Sequence, residues 1–451
     1  MTRNATRKAS GSLGDDGRPS WRRRSGLRVE RHRATMAHLA SVYPAHTDTG
    51  FGERGPYIGV NVTGGGSGFF FDPFELYQSG HLTNPNVLVT GDIGSGKSAL
   101  VKAFLGRELA VYGPRRMVTI LDPKGEYGPF AAARGLPVVR LHPGGADRLN
   151  PMEHRGDPTE TVNRQSLATA LVAGVLGRPL DPTEDAVLGW AITTLARPGR
   201  PFTLADVAAT VADPADELVA LSRRTPLELA QAATPVVFAL DKLLTRTLAG
   251  MFDGPTSVRL DWDRGPGFVI DLSAAYGDDE ALPLVMLAAT SWLAAAHQRD
   301  SPRRVIQVID EAWAAVRHGA RHFQGSLKLS RTYGVSTWLV CHRPADLTAQ
   351  ADDGTATAKI AAGLLSDIQT RVVFRQPPDQ VPVAAELFAL SERERTWTGQ
   401  FPRGRALWRL QQRGAVVHTV LTDTEQAVTD TDQKMRSTQG SSLTNSGTDS
   451  A

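Results

Sequence analysis

The segment that most restricts this chain is Gly91-Asp92-Ile93-Gly94-Ser95-Gly96-Lys97-Ser98. A β-branched apolar run, Asn86 to Thr90, precedes it, and apolar residues at helical spacing follow from Ser98 to Val111. A G-x-x-x-x-G-K-[ST] loop between a strand and a helix curls round a phosphate with its backbone N–H groups turned inward, and glycine tolerates the dihedral angles this needs. Lys97 then brings positive charge to the phosphates of ATP and Ser98 a hydroxyl to Mg²⁺. Gly91, Asp92, Ile93, Gly94, Ser95, Gly96 and Ala99 complete the cradle.

Strand–loop–helix units of this kind stack into parallel sheets covered by helices, and the rest of the chain alternates accordingly. Met117 to Leu121 reads as a second strand ending at Asp122, and Gly267–Leu272, Val305–Ile309, Thr337–Cys341 and Arg371–Phe374 as further buried strands. Tyr57–Val62 and Phe69–Phe71, separated by Gly64-Gly65-Gly66-Ser67-Gly68, predict a leading hairpin in preference to a flexible linker. Residues 158–250, rich in Ala, Leu and Thr with proline breaks, predict an all-helical insertion between the two halves of an α/β core, 51–157 and 251–423. Residues 1–50 and 424–451 lack hydrophobic period and are expected to be disordered.

Cys341 is the single cysteine, which excludes a disulfide framework and a cysteine-rich zinc site and fits a cytoplasmic protein. The longest apolar run, Ala281 to Ala296, contains Pro283, Thr290 and Ser291 and is shorter than the roughly 20 residues of a spanning helix. It predicts a buried helix, so that any place at the inner face of the membrane would come through partners. Residues 1–35 hold 10 Arg/Lys against 3 Asp/Glu, leaving 40 against 44 elsewhere. Such a basic arm fits contact with DNA, RNA or anionic lipid, and equally a solvated tail.

Arg303-Arg304-Val305-Ile306-Gln307-Val308-Ile309-Asp310-Glu311 is an apolar strand ending in two carboxylates, at the edge where a parallel sheet presents its active residues. Asp310 is expected to hold the hydration shell of Mg²⁺, and Glu311 to take a proton from an attacking water. Asp122 and Glu126 of Asp122-Pro123-Lys124-Gly125-Glu126-Tyr127 emerge on the same edge, where a structural turn and a place beside the nucleotide both fit. His342, after the strand to Cys341, is placed to sense the γ-phosphate. Arg331, Arg371 and Arg375 surround these strands; as an arginine finger reaching a neighbouring subunit, Arg331 ranks first and Arg371 second.

These motifs, with Leu149-Asn150-Pro151, Asp310-Glu311-Ala312-Trp313, Arg331-Thr332-Tyr333-Gly334 and Cys341-His342-Arg343-Pro344-Ala345-Asp346, resemble the HerA/FtsK superfamily of motor ATPases. Within it they are similar to the conjugal-transfer or type IV secretion branch, TraC-like, over about residues 57–420. The resemblance implies a RecA-like ATPase core with an inserted helical subdomain, working as a homo-hexamer with channel proteins of a conjugation or secretion system. His342 stands where that branch usually has glutamine. An FtsK- or HerA-like translocase acting on duplex DNA is the first alternative, and a scaffold that binds nucleotide without hydrolysing it the second. Glu311 argues against the scaffold.

Overall fold

The computed structural model describes residues 51 and 54–429, apart from 154–159, 197–199, 215, 299–302, 347–362, 366 and 412. The basic arm expected at 1–50 lies outside the described residues.

The apolar runs assemble into one eleven-stranded sheet in the order β2-β1-β11-β10-β9-β3-β8-β7-β4-β6-β5. Its parallel part contains β3 (Val87–Thr90), β4 (Arg116–Asp122), β5 (Val138–Arg140), β6 (Gly267–Asp271), β7 (Arg304–Ile309), β8 (Val335–Cys341) and β9 (Thr370–Val373). An antiparallel flank continues it through β10 (Arg405–Leu410), β11 (Arg413–Thr419), β1 (Tyr57–Asn61) and β2 (Ser67–Phe70). The arrangement is an α/β, RecA-like P-loop ATPase fold. Residues of β3, β4 and β8 are buried throughout, as strands covered on both faces must be.

One face of the sheet packs on the helix Lys97–Tyr112 through an aromatic cluster, in which Phe104 stacks on Trp338 at 4.3 Å and Phe71 meets Trp408 at 4.9 Å. The other face carries Ala281–His297, almost wholly buried, together with the helices of residues 160–242. Those helices begin on side chains suited to the task. Asp181 with Glu184, Thr203 with Asp206, and Thr225 with Glu228 each form a reciprocal capping box that satisfies orphan N–H groups. Asn150 latches the helical layer to the core: its Nδ2 donates to Phe202 O at 2.9 Å and its Oδ1 accepts from Met152 N at 3.0 Å.

One sequence expectation is corrected at the C-terminal side. Asp423–Thr429 lies in the stretch predicted to be disordered from 424, yet it forms a helix. Arg107 explains this, donating Nε and Nη2 to the two oxygens of Glu425, each at 2.6 Å, in a largely buried pair. The remainder of the expected tail lies outside the described residues.

Candidate nucleotide site

The glycine loop follows β3, between the ends of β8 and β9, and is tied down from both sides. Asp92 N donates to Arg375 O at 2.7 Å and Gly91 N to His342 O at 3.3 Å, while Gly404 N, in the turn before β10, donates to Ser95 O at 2.8 Å. Gly96 has φ +112°, where a side chain is strained, and a Cβ there would lie 3.1 Å from Gly404 N, a tight contact. The helix starts at Lys97 with no side-chain cap, which leaves its first N–H groups directed into the loop. Ser95 Oγ is buried without a hydrogen-bond partner.

Lys97 is buried, and its ammonium donates to Gly91 O at 2.6 Å, to Asp92 O at 3.0 Å and to His342 Nδ1 at 3.1 Å. Across the imidazole, His342 Nε2 lies 3.0 Å from Glu311 Oε1 and 2.8 Å from Lys124 Nζ. With Nδ1 accepting from Lys97, the ring carries its proton on Nε2 and donates it to Glu311, and the Lys124 ammonium beside Nε2 then bonds Glu311 and not the ring. Lys124 also pairs directly with Glu311 Oε1, and Trp313 Nε1 donates to Glu311 Oε2 at 2.6 Å. Glu311 itself has φ +48°, in the turn between β7 and the helix from Ala312, where Asp310 Oδ1 accepts its N–H at 2.9 Å.

The two adjacent carboxylates are driven apart electrostatically. Burial, with Glu311 beside it, pushes Asp310 up to about 6. Burial would raise Glu311 too, but the hydrogen bond from His342 and the charge and hydrogen bond of Lys124 outweigh it and hold that carboxyl at about 2. Lys97 is lowered, by burial first and then by Lys124 against the opposing pull of Cys341 and Asp310.

The structure brings Lys97, Asp310, Glu311 and His342 together at one sheet edge, with Ser98 half-buried at the helix start and Ile93 exposed at the loop tip. Asp122 serves the turn instead. Its Oδ1 accepts from Glu126 N at 3.1 Å and its Oδ2 from Tyr127 N at 2.8 Å, so both oxygens are spent holding the loop closed. Glu126 faces Lys102, whose ammonium donates to its carbonyl at 2.8 Å. The residue this turn delivers to the site is Lys124, which sequence reasoning passed over although it occupies the same strand-end loop.

The three arginines lie in different places. Arg331 ends the helix Ala312–Tyr333, just before β8 begins, and donates to Thr83 O at 3.4 Å. A parallel strand starts at the edge opposite the loop, so Arg331 is not at its own protomer's site. Arg371 lies over the Phe388 ring at 5.5 Å and donates to Leu365 O at 3.1 Å. Arg375 is the arginine beside the loop, 3.5 Å from Asp92 Oδ2.

Residues 81–288 match the family described as "Helicase HerA, central domain". This segment is similar to that domain. The HerA segment includes the glycine loop, Lys124 and β6, while Asp310, Glu311 and His342 come from strands beyond it. The fold is similar to that of VirB4 of Thermoanaerobacter pseudethanolicus, with a TM-score of 0.67 and 19% identity over 83% of this chain and 98% of that one. It is similar to the bacterial conjugative coupling protein TrwB, with a TM-score of 0.54 and 17% identity over 75% of this chain and 85% of that one. A TrwB structure in complex with ADP and Mg²⁺ matches at a TM-score of 0.53, with 17% identity over the same shares. No curated protein sequence matches.

The HerA segment and the strands beside it fit ATP and Mg²⁺. Uncapped helix N–H groups, the buried Ser95 hydroxyl and the Lys97 ammonium suit phosphate oxygens. Ser98 and Asp310 would hold Mg²⁺, which when bound neutralises charge on the terminal phosphates. Among the described residues no group of three or more His, Cys, Asp or Glu could hold a metal ion.

Proposed function

We propose that this chain is the ATP-hydrolysing motor of a conjugative DNA-transfer or type IV secretion system, working as a homo-hexameric ring. The observation that carries the reading is the bridge from Lys97 through His342 to Glu311, which joins the phosphate-binding lysine to a carboxylate held ionised. Lys97 and the loop N–H groups bind and orient the phosphates, Glu311 accepts the proton of the attacking water, and His342 reports to Glu311 whether Lys97 is engaged. A binding-only scaffold has no use for a base so placed. Likeness to VirB4 over 98% of that chain supports the secretion branch. Among the described residues no helix is long and apolar enough to cross a membrane. We therefore assign contact with the membrane to channel partners, with the motor itself on the cytoplasmic side.

The family description also supports a second reading, a translocase acting directly on duplex DNA. Steady-state ATPase rates separate the two, measured without DNA and with single- or double-stranded DNA, using Glu311→Gln as background. Strong stimulation by duplex DNA favours the translocase. A Glu311-dependent rate indifferent to DNA favours a secretion motor activated by protein, and a rate that Glu311→Gln does not reduce overturns both.

A further inference from the structure

We infer that Lys124 is a second γ-phosphate-binding residue, whose capture by the terminal phosphate releases Glu311 to the attacking water. The inference rests on ATP being the nucleotide held by the loop at 91–98. Lys124 reaches the site from a rigid turn: Asp122 caps it with both oxygens, Leu272 N donates to Asp122 O at 3.0 Å, and Gly125 turns the chain at φ +70°. Lys97 and Lys124 then approach the two nitrogens of one imidazole, at 3.1 Å and 2.8 Å. Two ammonium groups thus flank a single ring beside the glycine loop.

Glu311 supplies the second half of the argument. Oε1 takes Lys124 and His342, and Oε2 takes Trp313. A carboxylate has about four lone-pair positions, so three are filled and the base is poorly placed to accept a proton from water. Of the three partners Lys124 is the one able to leave. The Trp313 ring is stiff, and the His342 ring is tied at its other nitrogen, where Nδ1 meets the Lys97 ammonium at 3.1 Å. The lysine has a flexible four-carbon stem, three donors and a side chain still 17% exposed. A terminal phosphate carries more charge than a carboxylate and competes for that ammonium, so its arrival would bind Lys124 and free Oε1 in one step.

The test exploits the group that ADP lacks. Binding of adenylyl imidodiphosphate and of ADP, both with Mg²⁺, is measured by calorimetry for the full chain and for Lys124→Met, Lys124→Gln and Lys124→Arg. Loss of a charge-assisted bond to the γ-phosphate predicts that Lys124→Met and Lys124→Gln weaken the analogue by about tenfold or more, with ADP changed by less than about twofold. Lys124→Arg retains most of the preference. Equal weakening of both nucleotides, or of neither, in whichever neutral variant folds overturns the inference while leaving ATP binding intact. Failure of the unaltered chain to bind either nucleotide overturns the functional reading as well.

Discussion

Trp313 donates its indole N–H to Glu311 Oε2 at 2.6 Å, bracing a glutamate whose backbone is left-handed at φ +48°. A non-glycine residue in that region costs about 1–3 kcal/mol and persists where its surroundings hold it. Trp313→Phe keeps the ring but removes the donor, leaving Glu311 held on Oε1 alone. The expected result is a kcat for ATP lower by about tenfold, the worth of a hydrogen bond to a charged group, with KM little changed. A kcat equal to that of the unaltered protein would show that the bond has no part in orienting the base.

Lys97 and Glu311 act at different stages, so their variants separate. Lys97→Ala removes the ammonium bonded to the loop carbonyls of Gly91 and Asp92 and is expected to abolish binding of a fluorescent ATP analogue. Glu311→Gln keeps the loop intact; it should bind and retain ATP while turnover falls by about 10²–10⁴, the range of general-base contributions. Turnover by Glu311→Gln at the original rate would remove Glu311 from the mechanism.

What the sequence disclosed about this site is what local pattern encodes. The loop at 91–98 and the carboxylates at 310–311 each occupy one continuous segment between a strand and a helix, where spacing alone implies chemistry. Lys124 meets Glu311 only after β4 and β7 have paired in register, Leu121 opposite Ile309. The flank β10–β11 went unread for a related reason. Arg405–Leu410 and Arg413–Thr419 carry charged residues on an antiparallel hairpin and lack the unbroken apolar run of a central strand. Yet the turn leading into that hairpin delivers Gly404 onto the glycine loop. Arg331 precedes β8, and strand direction places it at the edge away from its own loop, which leaves the reach to a neighbouring subunit open.

That placement divides the arginines experimentally. Arg371 is a packing residue, with its guanidinium over Phe388 and bonded to Leu365 O, so Arg371→Ala should cost about 1–3 kcal/mol in chemical denaturation through lost stacking and an orphaned carbonyl. Arg331, exposed and weakly bonded to Thr83 O, should cost little stability when changed to Ala and leave ATP affinity unaltered. Its remaining route to a phosphate is across a subunit boundary, in which case Arg331→Ala loses hydrolysis only in the assembled ring. Mixing it with Lys97→Ala subunits would then restore part of the rate, and no recovery at any ratio would count against a trans-acting finger.

Far from the loop, Arg116 bridges two buried acids: it pairs with Asp72 and donates Nε to Glu108 Oε2 at 2.8 Å. Burial, with Asp72 nearby, raises Glu108 from about 4.5 to about 8, beyond what Arg116 can offset. Between those values the folded chain keeps a proton that the unfolded chain has released. The contribution of Glu108 is therefore full below about pH 4.5 and declines as pH rises to about 8, after which it is flat. Glu108→Gln removes this titration while leaving Arg116 with Asp72, so the variant's melting temperature should fall less between pH 5 and pH 8 than that of the unaltered protein. Parallel melting curves across that window would mean that Glu108 is ionised in the folded chain, with Arg116 carrying both acids.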